Sequence, residues 1–194
     1  TSIKSGAAPA LKALFNKEIM TDDVVLDYGA GKHARNADWL RDQGVKCYAY
    51  DPFNYNGAEG WKKGSVSEKL PRQKFDVVFT SFVLNVVPKH LEDEIIKKTN
   101  RLAKKHIHIV RNMDVFDTVK PAIKRRDKVV WEFFINEFWK KKKEPTDADL
   151  TDKLILDLCE FGVQTSKGFQ RIPHLEDHGF KLVKKTHGYK VYIK

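Results

Sequence analysis

The chain has 194 residues, which is enough for one domain with a sizeable buried core and short for two. Apolar residues make up 41% of it and charged residues 32%, a globular composition that excludes an intrinsically disordered chain. The formal net charge is +10, which points to a nucleic acid or another anionic substrate as a candidate partner.

The excess of positive charge is mostly lysine, and its densest run is Lys140 to Lys143. Such a run can track a phosphate backbone. It can equally serve solubility, or end a helix where cations oppose the helix dipole. The sequence leaves both interpretations open.

Cysteine content and hydropathy exclude several classes of protein. Cys47 and Cys159 are far apart and lack a metal-like spacing, so we expect neither a disulfide framework nor a metal site. The longest apolar stretch, Phe75 to Val87, is too short for a membrane span, and no signal peptide opens the chain. We therefore expect a cytoplasmic protein that has no membrane contact.

The first part of the chain has the pattern of a βαβ unit with a parallel crossover. Its predicted elements are a helical flank over 1–22 with helical spacing from Ala8 to Met20, a strand from Val24 to Leu26, a helix from Ala34 to Gln43 and a strand from Lys46 to Phe53. Residues Asn54 to Lys74, with Gly57, Gly60, Gly64 and Pro71, predict only a short strand near Ser65 and Val66.

The middle and end of the chain continue the alternation. The predicted elements are a strand from Phe75 to Phe82, a helix from His90 to Leu102, a strand from Ile107 to Val110, and strands from Phe180 to Lys185 and from Tyr189 to Ile193. A helical insertion with a substrate-side loop is predicted over 113–168, in which Thr146 opens a helix that Gly162 ends.

This order of elements predicts one α/β domain over 1–194. Its sheet should be doubly wound, mostly parallel and Rossmann-like, and should end in an antiparallel β-hairpin.

The loop Asp27-Tyr28-Gly29-Ala30-Gly31 follows the first strand, where ligands of such sheets bind. Its glycines let the backbone approach a ligand closely. Asp51 closes the second strand, where a carboxylate can accept both hydroxyls of a ribose. The glycine pattern alone also fits NAD, but Asp27 suits the ammonium group of a methionine moiety better than a pyrophosphate.

The sequence resembles the class I S-adenosylmethionine-dependent methyltransferase family. The resemblance rests on Val24 to Gly31, on Tyr50-Asp51-Pro52 and on Phe75 to Val87. The combination of Leu-Asp-Tyr-Gly, Tyr-Asp-Pro and Val-Leu-Asn-Val is also similar to that of little-characterised methyltransferases of prokaryotes and phages, some of them linked to DNA-modification loci.

The resemblance implies S-adenosylmethionine as the cofactor. The residues implied to bind it are Asp27, Tyr28, Gly29, Ala30, Gly31, Asp51, Pro52, Phe53, Ser81 and Phe82. The resemblance also implies that Ser81 to Asn85 line the transfer site. Arg111 after the next strand and His33 on the glycine loop are further candidates for substrate contact, and the alternative for each is a solvent-facing surface residue.

Three departures from the family pattern matter. The family often has another small residue where His33 stands. No acidic residue marks the end of the third strand, which leaves adenine recognition to Ser65, Ser67 or the backbone. No Asp/Asn-Pro-Pro-aromatic sequence follows the strand that ends at Phe82, which disfavours amino-methylating DNA enzymes.

We expect direct methyl transfer from a sulfonium donor by in-line displacement, without an assigned catalytic residue. The net charge favours a nucleic acid or another polyanion as the acceptor, with a small molecule next. Two other functions stay open, a catalytically silent partner protein that binds S-adenosylmethionine or nucleic acid and an NAD-dependent oxidoreductase. The aromatic cluster around Phe133, Phe134 and Phe138 is either helix core or a surface that stacks bases.

Overall fold

The structure is a computed structural model that describes residues 6–56, 61–141 and 143–194. Gly57 and Gly60 of the irregular segment and Lys142 of the lysine run therefore lie outside the described residues. The strands are β1 (Val24–Tyr28), β2 (Lys46–Tyr50), β3 (Phe75–Ser81), β4 (Ala103–Arg111), β5 (Val163–Thr165), β6 (Gly168–Gln170), β7 (Lys181–Lys185) and β8 (Tyr189–Ile193).

Six of these strands form the central sheet in the order β2-β1-β3-β4-β8-β7. The pairs β1–β2, β1–β3 and β3–β4 are parallel, and Leu26 of β1 lies between Tyr48 and Val78. Strand β8 is antiparallel to both β4 and β7. The predicted Rossmann-like sheet with a terminal antiparallel hairpin is confirmed.

The helices cover the sheet and build one further layer. They are α1 (Pro9–Leu14), α2 (Arg35–Asp42), α3 (Lys89–Thr99), α4 (Met113–Lys124), α5 (Lys128–Phe133) and α6 (Asp152–Phe161), with a π-helical turn at Phe134–Trp139 after α5 and 3₁₀ turns at Leu84–Val86 and Glu176–His178.

Successive residues of β1 point to opposite faces of the sheet, and both faces are buried. Val25 packs with Leu11 of α1 and Leu40 of α2 on one face. Leu26 packs with Val78 and, at its edge, with Ile95 of α3 on the other. The glycine loop therefore follows a strand that is packed on both of its faces.

Residues 113–172 form an insertion module with its own apolar core, built around Val119, Phe134 and Leu158. Arg171 joins this module to the rest of the fold. Its guanidinium donates to the carboxylate of Glu92 on α3 at 2.7 Å, and both side chains are buried. Its backbone N–H donates to the carbonyl of Asn85 at 2.8 Å.

Two predictions in the first half of the chain are wrong. Helix α1 ends at Leu14 rather than near Met20, because Phe15 is extended and Asn16 adopts a left-handed φ of 58°. The strand predicted near Ser65 and Val66 is reduced to an isolated bridge between Tyr50 and Ser67.

Two further predictions fail in the insertion module. Thr146 does not open a helix, because its amide and hydroxyl both donate to Asp149 and close a turn there. Helix α6 begins at Asp152 instead, where the Thr151 side chain caps the amide of Leu154. The segment read as a loop up to Gly168 contains the hairpin β5–β6.

No helix among the described residues has both the length and the apolar character that crossing a membrane requires.

Candidate functional site

A cavity of about 760 Å³ opens at the carboxyl ends of β1, β2 and β3. The chain order reverses here, since β1 is flanked by β2 on one side and β3 on the other. Ligands of open α/β sheets bind at such points. Of the predicted cofactor residues, those that line the cavity are Tyr28, Gly29, Ala30, Gly31, Asp51, Pro52, Phe53, Ser81 and Phe82.

The glycine loop is held against β2 and cannot accept a larger residue at Gly29. The amides of Gly29 and Ala30 both donate to the carbonyl of Tyr50, at 2.8 and 3.1 Å. Gly29 has a φ of +82°, and a Cβ built on it would lie 2.5 Å from Cγ2 of Val83. Glycine is required at this position because the loops after β1 and β3 touch.

Two residues with a Cβ adopt left-handed backbone conformations on the wall of the cavity. Ala34 has a φ of 43° at the start of α2, and Phe82 has a φ of 60° just after β3. Such conformations cost energy and concentrate at functional sites. Their positions agree with a binding role for this cavity.

The Asp51 carboxylate links the loop after β1 to the loop after β2 by hydrogen bonds. One carboxylate oxygen accepts the amide of Gly31 at 2.9 Å, and the other accepts the amides of Phe53 and Asn54 at 2.9 and 2.8 Å. The Asn54 side chain adds a longer contact of 3.3 Å. Asp51 thus fixes the cavity wall, whatever else it binds.

Asp27 is fully buried and does not line the cavity. It points to the α2 side of the sheet, where neither of its carboxylate oxygens makes a hydrogen bond of normal geometry. Burial raises the pKa of Asp27 to about 8, although the nearby Arg41 opposes this shift. The carboxyl therefore lies behind the glycine loop, protonated near neutral pH.

The glycine-loop end of the cavity carries two cationic side chains and a histidine. Lys32, His33 and Arg35 all line it. Nη1 of Arg35 is buried and has no hydrogen-bond partner within the described ranges. No sequence pattern indicates Arg35 as a site residue, because an arginine at the start of a helix is most often solvated.

Helix α3 forms the opposite wall with one of its faces. Leu91, Glu94, Ile95 and Lys98 follow helical spacing and all line the cavity. The rings of Tyr28 and Tyr50 lie on this side, with centroids 5.0 Å apart. Burial raises the pKa of the Tyr28 hydroxyl to about 12, so it stays protonated.

A family model described as a methyltransferase domain matches residues 4–113, more than half of the chain. This match decides the family. The chain is an S-adenosylmethionine-dependent class I methyltransferase. No curated protein matches the sequence.

Solved structures share the fold of the methyltransferase at low sequence identity. The 1,6-didemethyltoxoflavin-N1-methyltransferase of Burkholderia thailandensis, with bound 1,6-didemethyltoxoflavin and S-adenosylhomocysteine, is 12% identical over 95% of this chain and 76% of its own, with a TM-score of 0.56. A protein of Listeria monocytogenes assigned as an S-adenosylmethionine-dependent methyltransferase is 14% identical over 95% and 94% of the two chains, with a TM-score of 0.50.

Two predicted substrate residues of the methyltransferase lie away from the cavity. Asn85 is fully buried beneath Arg171, and neither polar atom of its side chain has a partner among residues that the structure describes. Arg111 pairs with Asp114 and contacts Gln170. His33, the third candidate, does line the cavity.

The methyltransferase brings Glu92, Asp93 and His178 close enough together to hold a metal ion. The Lys89 ammonium lies at 2.6 Å from Glu92, 3.4 Å from Asp93 and 2.9 Å from His178. A lysine thus supplies the positive charge at this cluster, so the cluster needs no metal ion.

Proposed function

We propose that this methyltransferase binds S-adenosylmethionine in the cavity at the ends of β1, β2 and β3 and transfers its methyl group to a small-molecule acceptor. The observation that carries the proposal is the cavity itself. It lies where the strand order reverses, and nine of the ten predicted cofactor residues line it.

The order of charged side chains along the cavity matches the order of chemical groups along the cofactor. Lys32 and Arg35 at the glycine-loop end suit the carboxylate of a methionine moiety. Asp51, in the middle, can meet the hydroxyls of a ribose. The base then extends past Phe53 towards α3, where Leu91 and Ile95 present apolar surface.

S-adenosylmethionine supplies an electrophilic methyl group on a sulfonium ion. The contribution of the protein is to hold donor and acceptor in line and to keep water out. Gly29 and Val83 in contact, with Ser81 and Phe82 beside them, form a rigid wall for this purpose. The Ser81 hydroxyl is buried without a partner in the described part of the chain and can donate to a ligand there.

The His108 imidazole is not part of this chemistry. It is fully buried, bonded to Thr80 at 2.8 Å, and absent from the cavity lining. Burial lowers the pKa of His108 to about 3. His33 lines the cavity and can accept a proton there if the acceptor needs a general base.

The insertion module that carries the lysine run has almost no excess of positive charge with which to hold a nucleic acid, and a neighbour of similar fold binds a small acceptor. Residues 113–172, which include the lysine run, contain twelve lysines and arginines and eleven aspartates and glutamates. The module is therefore close to neutral as a whole, and Asp149 is close enough to Lys141 and Lys143 for those charges to act on it. The Burkholderia methyltransferase of similar fold is solved with a small acceptor.

Calorimetry followed by a transfer assay tests the proposal. The purified protein should bind S-adenosylmethionine and S-adenosylhomocysteine and should not bind NADH, and it should pass a radioactive methyl group to a component of a small-metabolite pool. Binding of NADH alone would overturn the cofactor assignment. Transfer only to pooled nucleic acid would overturn the proposal of a small acceptor. Tight cofactor binding without any transfer would overturn the proposed activity and favour the catalytically silent partner protein.

A further inference from the structure

We propose that Glu94 on α3 recognises the 6-amino group of the adenine and so sets the base specificity of the cofactor site. The inference rests on the proposed function, because it needs the nucleoside in the cavity. It concerns a residue that neither the glycine motif nor the strand ends would indicate.

The direction of the cofactor leads its base to α3. The cationic side chains Lys32 and Arg35 lie at the glycine-loop end, and Asp51 lies between that end and Phe53. A ligand that places its carboxylate at the cations and its ribose at Asp51 has only one end left. That end is the base, and the wall left for it is formed by α3 together with Val86 and Val87.

The side chains expected to recognise the base already form hydrogen bonds to other groups. Ser65 donates its hydroxyl to the carbonyl of Lys62 at 2.6 Å, and Ser67 donates to the carbonyl of Lys69 at 2.7 Å. Neither serine lines the cavity. Recognition of the base by a side chain therefore falls to another residue.

Glu94 is a carboxylate on the cavity wall whose oxygens are not used in this way. Within the ranges that the structure describes, it has neither an ion pair nor a hydrogen bond, unlike its neighbours on α3, Glu92 and Asp93. Leu91 and Ile95 flank it and present apolar surface to a ring. An exocyclic amine donates two hydrogen bonds, and a carboxylate only accepts them.

Lys98 lies one turn after Glu94 on the same face of α3 and also lines the cavity. Its ammonium only donates hydrogen bonds, so it can face a ring nitrogen of adenine but not the amino group. Adenine presents both kinds of group along one edge. The pair Glu94 and Lys98 matches that edge, whereas hypoxanthine, which has a carbonyl at the 6 position, would place an acceptor against the carboxylate.

The test compares S-adenosylhomocysteine with S-inosylhomocysteine by calorimetry on the full chain. The natural protein should prefer the adenosine compound by about tenfold or more, the order of one hydrogen bond to a charged group. Glu94→Gln should reduce that preference to less than about threefold, since its amide can donate to the 6-carbonyl. Glu132→Gln, an exposed acid on α5, is the matched control and should keep the preference.

The outcomes separate this inference from the proposed function. If the natural protein binds neither compound, the proposed cofactor site is wrong. If it binds S-adenosylhomocysteine and Glu94→Gln retains the full preference for adenosine over inosine, Glu94 does not recognise the base and the inference fails. Unfolding of each variant in urea shows whether a loss of binding comes from a loss of structure.

Discussion

The contact between Gly29 and Val83 predicts a specific coupling between two substitutions. Gly29→Ala keeps a left-handed φ that costs a residue with a Cβ roughly 1 to 2 kcal/mol. Its new methyl group would also lie 2.5 Å from Cγ2 of Val83. Overpacking of this kind typically costs about 1 to 3 kcal/mol, so the total loss of stability should be roughly 2 to 5 kcal/mol.

A double-mutant cycle in urea isolates the second of these two costs. Val83→Ala removes the atoms that overlap, so the double variant should be more stable than the sum of the single effects by about 1 to 3 kcal/mol. Gly31→Ala is the control. It has a φ of +68° and nothing within 4 Å of a built Cβ, so its effect should add to that of Val83→Ala. Additive effects of Gly29→Ala and Val83→Ala would refute the reasoning.

Three further predictions address the site and the surface. Asp51→Ala should weaken S-adenosylhomocysteine binding by about 1 to 3 kcal/mol in calorimetry, and an unchanged affinity would limit Asp51 to its loop contacts. Because burial raises the pKa of Asp27 from 3.8 to about 8, the folded state keeps a proton that the unfolded state loses, so stability should fall as pH rises across that interval. Asp27→Asn should flatten that fall in urea titrations at several pH values, and an unaltered slope would contradict the assigned burial. Replacing Lys140 to Lys143 by glutamine should weaken nucleic-acid binding and flatten its salt dependence in filter binding if the run tracks phosphates, whereas an unaltered slope assigns the run to solubility.

The sheet and the glycine loop could be predicted because their signals are local. A run of β-branched and apolar residues, then two glycines, then a helical pattern describes β1, the loop and α2 without knowledge of the rest. The alternation of side chains along a strand also relates the direction of the Asp27 side chain to that of Tyr28. Since Tyr28 lines the cavity on the α3 side, the residue before it must point to the opposite face.

The wall formed by α3 could not be predicted from the sequence. Glu94 and Lys98 are exposed, and a charged residue that faces a cavity has the same sequence pattern as one that faces solvent. The predicted start of α6 was wrong for a related reason. Both Thr146 and Thr151 offer a side chain that can cap a helix, and only tertiary packing decides which one does so.

The position of β8 in the sheet has a consequence for folding during synthesis. Strand β4 is made long before β8, which covers its open edge, and roughly 80 residues separate the two strands along the chain. At the usual rates of translation, that delay is on the order of 4 to 15 s. During this time the backbone of β4 around Ile107 and Ile109 presents an unpaired edge of the kind that promotes aggregation. A chaperone that binds extended apolar segments on the ribosome is therefore expected to raise the yield of soluble protein.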